Sequence, residues 1–105
     1  MNDFKIIYKI LKALDTHKGD ETFDMVTISA EGLKISFAEW EQLLIELQEG
    51  GYIRGLAYTQ TMADKFPHLT EPIRPRITLK GMEYLNENGM MAKARDALRM
   101  IGDIV

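Results

Sequence analysis

The sequence contains no cysteine, so disulfide bonds, thiolate metal sites and cysteine nucleophiles are excluded. It also lacks internal repeats, low-complexity tracts and Gly/Ser-rich linkers. No apolar run approaches the roughly 18 residues that cross a bilayer. Lysines interrupt the first residues of the chain, so these residues do not form the apolar core of a signal peptide. We therefore expect a cytoplasmic protein that makes no membrane contact.

Residues typical of catalytic or metal sites are also scarce. The two histidines, His17 and His68, lie far apart and have no metal-binding spacing, so each is interpreted as a lone surface or loop histidine. The Gly50-Gly51 pair lacks the Lys-Ser/Thr that follows in a phosphate-binding loop. The sequence therefore predicts no enzyme activity, no metal site and no cofactor.

The composition that remains is that of a small globular domain. The 105 residues are 46% hydrophobic and 28% charged, which predicts one domain with a modest core. The net charge of -3 hides an asymmetry, because residues 19–49 carry eight acids against one lysine while residues 50–80 carry five bases against two acids. A basic face would have to come from residues 50–80 or from the first helix.

Hydrophobic spacing and capping residues predict an α+β chain. Apolar residues at helical spacing predict a first helix over residues 3–17, and β-prone residues predict a short strand from Phe23 to Thr27. The later elements are predicted as a helical turn (29–33), a helix (36–49), a strand (52–58), a loop (59–71), a strand (73–78), a helix (78–89) and a last helix (90–104). This order is that of a winged helix-turn-helix with a small antiparallel wing sheet and an extra C-terminal helix. It divides into a winged-helix domain at 1–89 and a C-terminal helix at 90–105.

The helix over residues 36–49 takes the place of a DNA-recognition helix, but it is acidic. It carries no Lys or Arg and four glutamates, namely Glu39, Glu41, Glu46 and Glu49. Ser36 and Glu39 fit the capping-box spacing. Helical spacing predicts a buried face made of Phe37, Trp40, Leu43, Leu44 and Leu47, and an opposite face made of Glu39, Gln42, Ile45, Glu46 and Glu49.

Three segments of the chain carry a further pattern. They are residues 2–14, the phrase Glu49-Gly-Gly-Tyr-Ile53 in which a helix runs into a strand, and Ile77 to Leu85 with Thr78 as a cap and Gly81 as a close-approach position. Together they resemble the YjcQ-like family of small bacterial and prophage winged-helix proteins over nearly the full length. The resemblance implies a DNA-binding-like domain, and it brings no catalytic residue and no established partner.

The leading functional hypothesis is a small transcriptional regulator that contacts double-stranded DNA mainly through the wing. Most phosphate affinity comes from Lys and Arg, and Arg74 and Arg76 should point the same way because strand side chains alternate. In the acidic helix, Gln42 has the side chain that reads adenine. The predicted nucleic-acid-binding residues are Lys34, Gln42, Arg54, Lys65, Arg74, Arg76 and Lys80. The same cations also fit an ordinary solubilising surface, and this alternative stays open.

A second hypothesis is a protein-interaction module on the same scaffold. Its contact surface for an unidentified partner protein would be formed by Glu39, Gln42, Ile45 and Glu46. Complementary fields also allow the basic stripe of the first helix, Lys5, Lys9 and Lys12, to meet this acidic helix in another molecule. The C-terminal helix has an apolar seam that either folds back on its own domain or forms a homodimer through Met91, Ala94, Leu98 and Ile101.

Overall fold

The computed structural model describes residues 3–89, so the predicted last helix and the dimerisation residues Met91, Ala94, Leu98 and Ile101 lie outside the described residues. The helices are α1 (Asp3–Thr16), a 3-10 helix (Met25–Ile28), α2 (Ala30–Leu33), α3 (Phe37–Glu49) and α4, described over residues 79–89. The strands are β1 (Ile53–Arg54), β2 (Ala57–Thr59), β3 (His68–Thr70) and β4 (Arg76–Ile77). The chain is therefore an α+β protein, and within residues 3–89 no helix has the length and apolar character to cross a bilayer.

The four strands form one antiparallel hairpin over residues 53–77, built as two short ladders. At its base β1 pairs with β4, and further out β2 pairs with β3, both antiparallel. The strand predicted over residues 52–58 is interrupted at Gly55, which adopts a left-handed φ of +95°. A side chain at this position would be strained and would also come within 3.0 Å of the Arg74 carbonyl oxygen.

The hydrophobic core lies between α1, α3, α4 and the base of the hairpin. In α1 the buried side chains follow helical spacing, at Ile6, Ile10, Leu11 and Leu14, which confirms the predicted amphipathic helix. The least exposed core residues come from three elements, namely Ile10, Leu11, Leu44, Ile45 and Ile53. Ile10, Leu11, Leu44 and Ile53 belong to one buried cluster, which packs α1, α3 and the base of the hairpin together.

The short strand predicted from Phe23 to Thr27 is wrong, because Met25–Ile28 forms a 3-10 helix. The Asp24 carboxylate accepts the Val26 backbone N–H at 2.9 Å, which starts this helix. Local bonds of this kind compete with strand pairing, and β-branched residues do not overcome them without a partner strand. The predicted helical turn is confirmed as α2, whose Ser29 hydroxyl accepts the Gly32 N–H at 3.2 Å.

The start of α3 is fixed by a cap and by a buried indole. The Ser36 hydroxyl accepts the Glu39 N–H at 3.1 Å, which is the first half of the predicted capping box. The Trp40 indole N–H donates to the Ile28 carbonyl at 2.8 Å in the buried interior. The 3-10 helix therefore positions the first turn of α3 directly.

The start of α4 is attached to the end of α3. The Thr78 hydroxyl accepts the Gly81 N–H at 3.1 Å, which confirms the predicted cap, and it donates to the Gly51 carbonyl. A Cβ atom at Gly81 would collide with the Tyr52 carbonyl oxygen and with the Ile77 side chain. The predicted close approach at Gly81 is confirmed, and it sets the distance between α4 and the base of the hairpin.

Candidate nucleic-acid interface

The side of α3 that faces the hairpin carries a buried carboxylate. Glu41 is 4% exposed. Its Oε2 accepts the Leu69 backbone N–H at 2.9 Å, and its Oε1 lies 2.9 Å from Nδ1 of His68. An ionised carboxylate is stable in such a place only when hydrogen bonds replace water. Glu41 therefore holds β3 against α3, whereas the sequence assigned it to neither face of the helix.

Two glutamines of α3 extend this attachment along the hairpin. The Gln42 amide donates to the Pro67 carbonyl at 2.9 Å. The Gln48 side chain both donates to the Leu56 carbonyl and accepts the Leu56 N–H, at 2.9 and 2.8 Å. We call Glu41, Gln42 and Gln48 the helix–hairpin clamp, because each satisfies backbone groups of the hairpin that the short ladders leave unpaired.

The clamp corrects the predicted faces of α3. The prediction that Ile45 lies on the exposed contact surface is wrong, since Ile45 is only 2% exposed and Glu41 is buried beside it. The hairpin packs against this flank, so the buried residues of α3 are Trp40, Glu41, Leu44, Ile45 and Leu47. The prediction that Phe37 lies on the buried face is wrong, since Phe37 is 58% exposed. Gln42 is half-buried and already donates to Pro67, so base reading by its amide would require that bond to break. Glu39, Glu46 and Glu49 are exposed as predicted.

Two arginines face each other at the base of the hairpin. Arg54 and Arg76 are directly paired positions of β1 and β4, next to the paired Ile53 and Ile77. The two isoleucines are buried and the two arginines are exposed. We call Arg54 and Arg76 the basic pair. Arg74 is also exposed and lies two residues before Arg76, with buried Pro75 between them, as side-chain alternation predicts.

The basic pair has no internal charge compensation in the described part of the chain. All ion pairs found within 4.0 Å among residues 3–89 involve a histidine, so neither arginine has a carboxylate partner there. Like charges directly opposite each other on a sheet are destabilising. The arrangement therefore leaves two adjacent guanidinium groups exposed without a carboxylate partner among residues 3–89.

The other predicted cations occupy different surroundings. The Lys80 ammonium donates to the Gly50 carbonyl at 2.8 Å and lies 4.8 Å from the centre of the Tyr52 ring. The ammonium therefore lies at the C-terminal end of α3, where the negative end of the helix dipole favours a cation. Lys34 closes α2 with a left-handed φ of 59°, and Lys65 is exposed near the end of the hairpin. The structure thus brings together Arg54, Arg76 and the neighbouring Arg74.

The clamp was not predicted from the sequence, because Gln42 was placed on the exposed face of the helix and Glu41 and Gln48 were assigned to neither face. Glu41, Leu44, Ile45 and Gln48 follow the spacing i, i+3, i+4 and i+7, which is the spacing of one helix face. A glutamate in line with buried apolar residues is a signal for a partnered carboxylate. The partner residues, His68 and Leu69, follow the apolar Phe66-Pro67 segment and carry no comparable local signal.

His68 gives the clamp a dependence on pH. The hydrogen bond from its ring to Glu41 raises the pKa of His68 above its ordinary value, and the charges of Glu41 and Asp64 act in the same direction. Asp64 lies 3.8 Å from Nε2 of the ring. Protonated His68 therefore stabilises the folded state below about pH 6.5. This contribution is lost as the pH rises through the higher pKa of the folded state.

We expect the urea midpoint of the wild type to fall between pH 6 and pH 8, and we expect His68→Gln to flatten this dependence. The measurement is equilibrium unfolding at a series of pH values. His17→Gln is the control for a histidine away from the clamp, because His17 stacks on Phe23 and pairs with Asp20, and it should keep the fall in midpoint that is due to His68. An unchanged profile in His68→Gln would show that the ring–carboxylate bond does not contribute.

The fold and the site define a small α+β protein in which a basic hairpin is clamped to an acidic helix. The chain belongs to the family described as YjcQ protein, whose model matches residues 8–104. It is 33% identical over 104 residues to the protein named Uncharacterized protein YjcQ of Bacillus subtilis (strain 168), covering 98% of this chain and 97% of that protein. No solved structure matches the chain.

Proposed function

We propose that the protein is a non-catalytic winged-helix DNA-binding protein that grips the phosphate backbone with the base of its hairpin. The observation that carries this proposal is the basic pair, Arg54 opposite Arg76, with no carboxylate partner among residues 3–89. Guanidinium groups match phosphate oxygens in two-point hydrogen bonds. Arg74 supplies a third cation on the same edge of the hairpin.

The order of the elements supports this proposal. Helices α1, α2 and α3 precede a hairpin that is followed by α4, an order compatible with a winged helix-turn-helix in which α3 would take the recognition position and the hairpin would form the wing. The exposed acids of α3 repel phosphate, and the clamp already engages Gln42. Affinity is therefore proposed to come from the hairpin, with α3 serving mainly as its support.

The proposal is tested by duplex binding as a function of salt. Three phosphate contacts give a slope of log K against log[salt] of about -2.7 for duplex DNA. Replacing Arg54, Arg74 and Arg76 by glutamine should remove most of this slope. The matched control replaces the exposed lysines of α1, Lys5, Lys9 and Lys12, by glutamine, which changes the net charge by the same amount.

The control variant should keep the wild-type slope, because its lysines lie on another element. Absence of wild-type binding to a mixed-sequence duplex at low salt would contradict the proposal. Equal loss of slope in the arginine and the lysine variants would show a diffuse charge effect rather than a grip by the hairpin.

The exposed acids of α3 favour a second candidate function, a surface for a basic protein partner. Glu39, Glu46 and Glu49 are exposed, and within residues 3–89 none has a Lys or Arg within 4.0 Å. Glu39→Lys with Glu46→Lys separates the two functions. Duplex binding should be kept or strengthened if the hairpin grips DNA, whereas binding of a protein partner through this face should be abolished.

A further inference from the structure

The hairpin tip, residues 60–67, presents two large apolar side chains to solvent. Met62 is fully exposed, and Phe66 is 60% exposed. Lys65 lies between them in sequence and is also exposed. Both side chains belong to the short connection between β2 and β3, and large apolar groups that share one exposed segment are a candidate contact site.

The turn that carries these side chains is ordered by its own hydrogen bonds. The Asp64 carboxylate accepts the Thr61 backbone N–H at 3.1 Å and the Thr61 hydroxyl at 2.9 Å. These bonds lower the pKa of Asp64, so the carboxylate stays ionised and bound within the turn. The Asp64 N–H donates back to the Thr61 carbonyl. A turn ordered in this way loses little conformational entropy on binding.

The chain immediately after Phe66 is anchored to α3. The Pro67 carbonyl accepts the Gln42 amide, and His68 is bonded to the buried Glu41. These bonds hold the returning strand and keep the tip at the end of a supported hairpin. Phe66 and Met62 are thus carried by a connection whose returning strand is held on α3.

We propose that Met62 and Phe66 form an apolar wedge that inserts between base pairs from the minor groove of duplex DNA. This inference rests on the proposed function. Minor-groove proteins use methionine and phenylalanine in this way and kink the duplex by about 20–90°. Charge favours DNA over an apolar protein groove, because residues 50–80 carry five bases against two acids.

The basic pair and the wedge fit one duplex. From Arg54 to the start of the tip at Gln60 the chain spans six residues, which is at most about 20 Å in an extended strand. Successive phosphates on one strand are about 3.4 Å apart along the axis. The start of the tip would therefore lie within about six base pairs of the basic pair along the duplex axis.

The test is energy transfer between dyes at the two ends of a short mixed-sequence duplex, with 2-aminopurine fluorescence as a readout of unstacking. The wild type should shorten the end-to-end distance by a bend in the range of about 20–90°. Met62→Ala with Phe66→Ala should abolish the bend and keep the salt slope. Val26→Ala is the matched control, because Val26 is an exposed apolar residue of the 3-10 helix, and it should bend DNA like the wild type.

Each other outcome overturns the wedge. If the wild type binds DNA in a salt-dependent manner but does not bend it, the wedge proposal is wrong and the proposed function still stands. If the wild type does not bind duplex DNA at all, both the proposed function and the wedge proposal are wrong. Self-association of the wild type without DNA, abolished by Met62→Ala with Phe66→Ala, would assign the tip to a second copy of the chain.

Discussion

Replacing Glu41 with alanine is expected to lower the free energy of unfolding by about 2–3 kcal/mol, because two hydrogen bonds to a charged group are lost and the Leu69 N–H loses its partner. The total stability of a domain of this size is about 5–15 kcal/mol. The loss is therefore a large part of the whole, and we expect the melting temperature to fall by about 10 °C or more. Urea unfolding and thermal melting measure the effect.

A local readout distinguishes loss of the clamp from general damage. In Glu41→Ala the Leu69 amide should lose its protection from hydrogen exchange, while amides in the middle of α1 keep theirs at the level set by the new global stability. The control is Glu46→Ala, which removes an exposed glutamate of the same helix and should change stability by no more than about 0.5 kcal/mol. Equal stability of the two variants would contradict a structural role for Glu41.

The Glu41 variant also bears on the proposed function. Glu41 holds β3, and β3 continues into the segment that leads to Arg74 and Arg76. Freeing β3 from α3 should let the hairpin move, which lowers duplex affinity without removing any cation. The salt slope should therefore stay near the wild-type value while the affinity falls, since the slope counts phosphate contacts.

Elements defined by local signals could be predicted from the sequence. The first helix was predicted over residues 3–17 and is observed as Asp3–Thr16, because its apolar spacing and its length are sufficient evidence. The caps at Ser29, Ser36 and Thr78 were found for the same reason. Each cap is a hydrogen bond between residues three apart, so both partners lie within one short segment of the sequence.

Elements that depend on distant partners could not be predicted. β3 lies inside the predicted loop over residues 59–71, because its strand character comes from pairing with β2 and from Glu41 and not from its own propensity. The predicted strand over residues 73–78 shortens to Arg76–Ile77, since β1 offers only two paired positions.

The candidate site was predicted in part. Alternation along one strand placed Arg74 and Arg76 on the same side, and the exposure of both is as predicted. That Arg54 faces Arg76 depends on the register of β1 against β4, which a change of one residue would reverse. The acidic character of α3 was apparent in the sequence, but the commitment of Glu41 to β3 required the folded structure.

Replacing Arg76 with glutamate is expected to weaken duplex binding and to strengthen the fold at the same time. The variant converts a like-charge cross-strand pair into an opposite-charge pair with Arg54, which should raise the free energy of unfolding by about 0.5 kcal/mol. Duplex affinity at low salt should fall by at least about tenfold, with a salt slope smaller by about 1, because one phosphate contact is lost and a carboxylate is placed beside it.

A rise in stability together with a fall in affinity would mark Arg76 as a binding residue, because replacing a side chain that stabilises the fold lowers the free energy of unfolding. The matched control is Lys9→Glu, which makes the same change of charge at an exposed position of α1 and should leave both the slope and the affinity close to wild type. Arg76→Gln should lie between the wild type and Arg76→Glu in both measurements. If Arg76→Glu and Lys9→Glu weaken binding equally, the basic pair is not the site of the phosphate grip. If Arg76→Glu unfolds more easily than the wild type, Arg76 serves the fold instead.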